Sequence, residues 1–167
     1  AAIEKGKSAM PQDTIDAIRD IGVALKSPTT TPSGKGHTSA NVALRKALDL
    51  FANVRPSKTL PGVRGAFSNM NIDIIIVREN TESLYAGLEN VVAPGVVTSI
   101  KVITRRASRR IARFAFQHAS AWDRHRVTAV HKANIMKLAD GLFLDCAREA
   151  AKRWEGKIAA DDVLVDA

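Results

Sequence analysis

The chain has a single cysteine, Cys146, among its 167 residues, so no disulfide can close within it. That excludes a small secreted scaffold held by disulfides, and it removes any cysteine pair for structural zinc. A reducing compartment is the natural setting. Aromatic residues make up only 5% of the chain, which leaves few platforms on which nucleic-acid bases could stack. Long hydrophobic runs are missing as well. Stretches such as Ile74–Val77 fall far short of the roughly 20 apolar residues that span a bilayer. Acidic residues are the minority charge, 17 against 25 Lys and Arg, for a net charge of +8.

What is present describes a folded domain. Hydrophobic residues account for 46% and charged residues for 25%, a mix that excludes disordered or collagen-like chains. The densest basic cluster is Arg105, Arg106, Arg109, Arg110 and Arg113. At helical spacing such a row is more often a solvated face than a phosphate-reading surface, so no nucleic-acid partner and no membrane partner is expected. The chain starts without Met and stops directly after an apolar, strand-like run at 163–165. Both ends suggest a piece of a longer protein.

Periodicity predicts a short helix opening at Pro11, with Ile15 and Ile18 on its buried side, and then a weak strand over 21–26. A polar loop follows over 27–38. A second helix is expected over 39–51, with Val42, Leu44, Leu48 and Phe51 as its apolar face. Asn53-Val54-Arg55-Pro56 reads as extended, because a residue before proline is pushed out of the helical region. The near-continuous apolar run at 72–77 predicts a strand buried on both faces. A hairpin arm is expected around Pro94-Gly95, a helix over 108–122 with Ile111, Phe114, Ala115 and His118 at helical spacing, a strand over 127–132, and a helix over 134–154 with Leu138, Leu142 and Cys146 along one side. Strands alternating with helices predict an α/β fold.

Several catalytic motifs fail on spacing. Ser33-Gly34-Lys35-Gly36-His37-Thr38 lacks the order of a P-loop, and neither G-x-G-x-x-G, H-E-x-x-H nor G-x-S-x-G occurs. His118 sits on an otherwise apolar helix face and reads as a core histidine. What remains is a set of polar residues at element ends. Ser39 lies where the second helix begins, and a helix start favours an anion. Asn41 and Arg45 share one face of that helix. Arg55 precedes a proline, and Arg78 follows an apolar strand. Three guanidinium groups could converge on a polyanionic small molecule, since each donates two parallel hydrogen bonds to a carboxylate. The plain alternative is that each pairs with a nearby Asp or Glu.

The motifs Lys26-Ser27-Pro28-Thr29-Thr30-Thr31-Pro32, Ser39-Ala40-Asn41-Val42-Ala43-Leu44-Arg45 and Asn53-Val54-Arg55-Pro56 resemble the β-decarboxylating dehydrogenases. So do Val77-Arg78-Glu79-Asn80-Thr81-Glu82-Ser83-Leu84-Tyr85-Ala86-Gly87 and His131-Lys132-Ala133-Asn134-Ile135-Met136-Lys137. They follow one another in the family's order over nearly the whole chain. The resemblance is to the isocitrate/isopropylmalate dehydrogenase family and, within it, to the NAD-linked isocitrate branch. It implies an α/β fold with part of a large domain over 1–52 and a small dimerisation domain over 53–167, including a clasp-like arm at about 86–104.

The resemblance also implies roles. Ser39 and Asn41 would hold the γ-carboxylate of isocitrate, while isopropylmalate enzymes present apolar residues there. Arg45, Arg55 and Arg78 would clamp the other carboxylates. Tyr85 matches the acid that protonates the enol after carbon dioxide leaves. Lys132 matches the group that takes the hydroxyl proton, reaching the site from a partner subunit. Lys26, Thr30, Thr31 and Asn134 match positions beside the NAD or NADP cofactor, and Asp166 matches a ligand of Mg²⁺ or Mn²⁺. The implied reaction is the oxidative decarboxylation of isocitrate in the tricarboxylic acid cycle. The alternatives are a homoisocitrate or other 2-hydroxy-acid enzyme, or a non-catalytic regulatory subunit. The implied assembly is a homodimer or related hetero-oligomer, bacterial cytoplasmic or mitochondrial. The 167-residue piece alone is expected to be inactive.

Overall fold

The computed structural model describes residues 10–28 and 39–167, and the chain divides into two compact units, Ala1–Leu50 and Phe51–Ala167. In the first unit, α1 (Gln12–Ile21) buries Ile15, and α2 (Ala40–Ala47) starts at Ser39. Gly22 ends α1 in the left-handed conformation (φ 78°), and its N–H caps the Ile18 carbonyl at 2.8 Å. That cap redirects the chain. Residues 23–28 are irregular, with Val23 and Leu25 exposed. No strand forms over 21–26, because no ladder partner meets this segment among the described residues. Helix α2 stops short of the expected 51, at Ala47, where Asp49 turns to φ 47°.

The second unit contains three two-stranded sheets and two main helices. Strands β1 (Ala52–Lys58) and β2 (Asp73–Glu79) pair antiparallel. Positions 75 and 77 of β2 are half-buried, whereas Ile74 and Ile76 are about half exposed. The expected double burial is therefore absent among the described residues. One face is covered, and the other carries the polar groups of the site below.

Strands β3 (Ser83–Ala93) and β4 (Val96–Val102) form the arm. Its tip is Pro94-Gly95, with Gly95 at φ 77°, the conformation that position i+2 of a type II turn requires. Helix α3 (Arg105–Ala121) begins earlier than its periodicity suggests, because Thr104 caps it by accepting from the Ala107 N–H at 3.2 Å. The stretch β5 (Arg126–His131), α4 (Ala139–Ala151) and β6 (Ala159–Leu164) is a βαβ unit with parallel strands.

The core lies between α3, α4 and this parallel pair. Ala112, Phe116, Ala119, Ala147, Ala150 and Ile158 fill it, with Val127, Ala129 and Trp154 packed against them. The small alanines let the helices approach closely, and Phe116 supplies the bulk, contributing about 1.5–3 kcal/mol by its burial. The buried stripe of α4 runs through Leu144, Cys146 and Ala147. Leu138, expected on that stripe, is almost fully exposed and lies ahead of the helix. His118 is half-buried rather than core, stacked between Phe114 (5.7 Å) and Trp122 (5.5 Å) along one side of α3.

Candidate active site

The residues singled out by sequence fall into three groups. The first is on the β1–β2 ladder, where Asn53 stands opposite Arg78 and Arg55 opposite Ile76. Side chains alternate along strands, so Asn53, Arg55 and Arg78 share one face, with the arginines diagonal neighbours. Arg55 Nε donates to Asn53 Oδ1 at 2.8 Å. Arg78 Nη2 donates to Oδ1 of the buried Asn80 at 3.1 Å. The Arg78 guanidinium also lies 5.3 Å from the ring centroid of Tyr85, within cation–π range.

The turn that carries these groups is held by its own carboxylates. Glu79 accepts the N–H groups of Thr81 (2.9 Å) and Glu82 (2.8 Å). Glu82 accepts the Thr104 N–H at 2.8 Å, tying the turn to the start of α3.

Among the described residues, Arg45, Arg55 and Arg78 form no ion pair with Asp or Glu. Arg55 and Arg78 are instead held by neutral amides, so their positive charge is not cancelled. Arg78 Nε is buried without a hydrogen-bond partner among the described residues. A buried, unsatisfied guanidinium N–H is costly unless an acceptor reaches it.

The second group sits just past the carboxyl ends of β5 and β6, where ligands bind in α/β proteins. Lys132 Nζ donates to Asp166, which holds that carboxyl below its ordinary pKa. The pair is therefore intact at neutral pH and is lost as pH falls through the lowered value. The buried His131 accepts the Ala133 N–H on Nδ1 at 3.0 Å, so its Nε2 carries the proton toward Asp162, 3.1 Å away. Arg148 also binds Asp162 at 3.0 Å, and these two partners depress the Asp162 pKa, His131 most. Asp140, itself buried, accepts the Lys132 N–H at 2.8 Å and an ion pair from Lys101. The backbone of Lys132 is thus fixed by Asp140, and that of Ala133 by His131.

The helix expected from 134 starts only at Ala139, because the chain first turns over the Lys132 carbonyl, which accepts the Ile135 N–H at 3.1 Å and the Met136 N–H at 2.9 Å. Asp140→Asn keeps the shape and removes the charge facing Lys101. It is expected to cost about 1–3 kcal/mol in a denaturation experiment. That is less than a fully buried pair would lose, because Lys101 is 26% exposed. Unchanged stability would remove Asp140 from this structural role.

The third group lies in the first unit. Ser39 is the N-cap residue of α2, and Asn41 and Arg45 lie one turn apart on the same helix. Lys26 is exposed and donates to the Ser27 carbonyl at 2.7 Å. Thr30 and Thr31 lie outside the described residues. Asn134 is exposed in the turn after Lys132. No group of three His, Cys, Asp or Glu side chains capable of holding a metal gathers among the described residues. Asp166 alone is not a metal site.

Sequence reasoning did not single out Asn53, Asn80, Asp140 or Asp162. Asn53 and Asn80 lie within the quoted motifs, two residues from Arg55 and Arg78, and that spacing on a strand or turn was the available signal.

The sequence matches the family described as "Isocitrate/isopropylmalate dehydrogenase" over residues 1–167. It is 46% identical over 165 residues to the fission yeast (Schizosaccharomyces pombe) mitochondrial isocitrate dehydrogenase [NAD] subunit 2, covering 99% of this chain and 43% of that protein. It is 48% identical over 159 residues to the chloroplastic 3-isopropylmalate dehydrogenase of Solanum tuberosum, covering 95% and 44%. Proteins named as regulatory subunits are among the relatives too. The fold matches the crystal structure of isocitrate dehydrogenase from Methylococcus capsulatus with a TM-score of 0.91 at 46% identity, covering 99% of this chain and 49% of that one. The chain spans about two fifths of the length of these curated relatives.

Proposed function

This chain belongs to the isocitrate/isopropylmalate dehydrogenase family, and from that membership we propose that it carries most of the substrate pocket of an NAD-linked isocitrate dehydrogenase. The observation that supports this most is a pair of arginines, Arg55 and Arg78, on one strand face, with no carboxylate partner among the described residues and Tyr85 against one of them. Such a face suits a polycarboxylate.

In this reading Arg55 and Arg78, with Arg45 from α2, bind the carboxylates of isocitrate by charge-assisted hydrogen bonds. Ser39 and Asn41 receive the γ-carboxylate. Lys132 takes the proton from the substrate hydroxyl, and the carbon that bears this hydroxyl gives up its hydride. After carbon dioxide departs, Tyr85 delivers its phenolic proton to the carbon of the enolate that remains, giving 2-oxoglutarate. The lysine's fixed backbone limits the geometries it samples, which suits a general base.

The reaction needs a hydride acceptor, NAD in the NAD-linked branch, and a divalent cation, Mg²⁺ or Mn²⁺, that polarises the hydroxyl oxygen. The described residues do not by themselves build either site. Asp166 is the proposed contribution to the metal, and Lys26, Thr30, Thr31 and Asn134 to the cofactor.

The test is isocitrate-dependent reduction of NAD, and separately of NADP, by the whole protein with Mg²⁺. Failure of both would sink the reading. A regulatory subunit is the second reading, favoured by the relatives so named. It would bind isocitrate without turnover and would have no use for Tyr85 and Lys132. The setting follows the branch: mitochondrial matrix in a eukaryote, cytoplasm in a bacterium.

The arm serves assembly in this proposal. Val91 and Val97 face each other across β3–β4 and are 76% and 64% exposed, so the ribbon presents apolar surface without a partner among the described residues. A second copy, or a related subunit, would cover it. Val91→Asp with Val97→Asp is expected to convert dimers of the whole protein to monomers in light scattering. A dimer that persists would remove the arm from the interface.

A further inference from the structure

Lys132 lies between β5 and α4, outside both, yet all four polar groups of the two peptides that flank its Cα have partners. The His131 carbonyl accepts the Val165 N–H at 2.9 Å, and the Lys132 N–H donates to Asp140 at 2.8 Å. The Lys132 carbonyl takes the N–H groups of Ile135 and Met136. The Ala133 N–H donates to His131 Nδ1 at 3.0 Å. Turning either backbone dihedral of Lys132 would break one of these bonds, so the root of the side chain is fixed. The His131 side chain is only 6% exposed, against 27% for that of Lys132. The anchor is buried, and the amine it steers is not.

The last of these bonds differs from the others, because a ring nitrogen accepts only while it carries no proton. The fold decides which nitrogen carries it. Asp162 stands opposite Ala129 in the β5–β6 ladder, and side chains alternate, so its carboxylate lies on the face of His131. It sits 3.1 Å from His131 Nε2 and is itself gripped by Arg148 at 3.0 Å. An ionised carboxylate can only accept, so the proton is drawn to Nε2 and the Nδ1 lone pair is left for Ala133. With the proton on Nδ1, two donors would face each other across 3.0 Å.

We infer that His131 is a positioning residue for Lys132: Asp162 selects its tautomer, and Nδ1 then holds the Lys132–Ala133 peptide in the orientation that aims the lysine amine at the substrate hydroxyl. The inference rests on the reading of Lys132 as the general base. His131 itself exchanges no proton with the substrate.

Two variants separate the two bonds of the ring. Asn places its carbonyl oxygen where Nδ1 stands, two bonds beyond Cβ, and Gln places its amide nitrogen where Nε2 stands, three bonds beyond. His131→Asn therefore keeps the acceptor for Ala133, and His131→Gln keeps the donor to Asp162. In the whole protein, His131→Gln is expected to lower kcat about 10–100-fold, the scale of loss for a misplacement of about 1 Å. KM for isocitrate should change little, because Arg55 and Arg78 are untouched. His131→Asn should recover at least about fivefold of that loss. A role in stability alone would lower the melting temperature of both variants and leave their kcat values alike. Hydrogen exchange gives a readout without turnover. The Ala133 amide lies outside helix and strand, yet it should exchange slowly in the unaltered protein and at least about tenfold faster in His131→Gln. Equal kcat in the two variants, or a faster His131→Gln, would overturn the proposal. So would rapid exchange at Ala133 in the unaltered protein. Absence of isocitrate turnover in the unaltered protein, with Ala133 still protected, would sink the function reading instead, and the hold of His131 on the peptide would stand.

Discussion

Replacing Tyr85 with Phe in the whole protein is expected to lower kcat by about 10²–10⁴-fold, the range for loss of a positioned general acid. Isocitrate binding should change far less. The substitution removes one oxygen and keeps the ring, so the Arg78 guanidinium retains the surface it rests on 5.3 Å away. Asn80 still holds that guanidinium, and the Glu79 and Glu82 contacts that shape the turn do not involve the phenol. A fall in kcat therefore reports the missing proton and not a displaced arginine. Steady-state kinetics together with a direct binding measurement separates the two. An undiminished kcat would remove Tyr85 from the chemistry and favour a binding-only subunit.

Substrate discrimination should show the second large effect. In the proposed site Ser39 and Asn41 face the third carboxylate, and kcat/KM for isocitrate is then expected to exceed that for isopropylmalate by about 10⁴-fold, because a site built of polar groups leaves them unpaired against an apolar analogue. Overall similarity does not make this distinction, since an isopropylmalate dehydrogenase is 48% identical over nearly the same span. In the proposal two side chains at the start of α2 make it. Ser39→Leu with Asn41→Leu should abolish most isocitrate turnover while leaving Arg45, Arg55 and Arg78 in place. Comparable kcat/KM values for the two acids in the unaltered protein would transfer the proposal to the sister activity.

The fold was legible where burial has a period. The apolar spacing through Ile111 and Phe114, and through Leu142 and Cys146, matches helices α3 and α4, although the buried stripe of α3 runs through Phe116 and Ala119 rather than Phe114 and His118. The Pro94-Gly95 turn marks the arm, because its backbone demands are local. Reading failed where a distant group decides. Residues 21–26 have the composition of a strand, but a strand exists only with a partner, and the Gly22 cap turns the chain elsewhere. The run at 72–77 has the composition of a doubly buried strand, yet only one of its faces is covered. The buried Asp140 in the first turn of α4 finds its partners eight and thirty-nine positions away.

The candidate site divides along the same line. The residue types and their order along the chain were sufficient to identify the family and to nominate Arg45, Arg55, Arg78, Tyr85, Lys132 and Asp166. Their electrical state was not. A guanidinium in sequence carries no mark of what it will face, and a carboxylate close in sequence is not one close in space. Only the β1–β2 register, with side chains alternating across it, put Arg55 and Arg78 on one face beside Asn53 and Asn80 rather than beside acids. That amide support holds two positive charges in position without neutralising them.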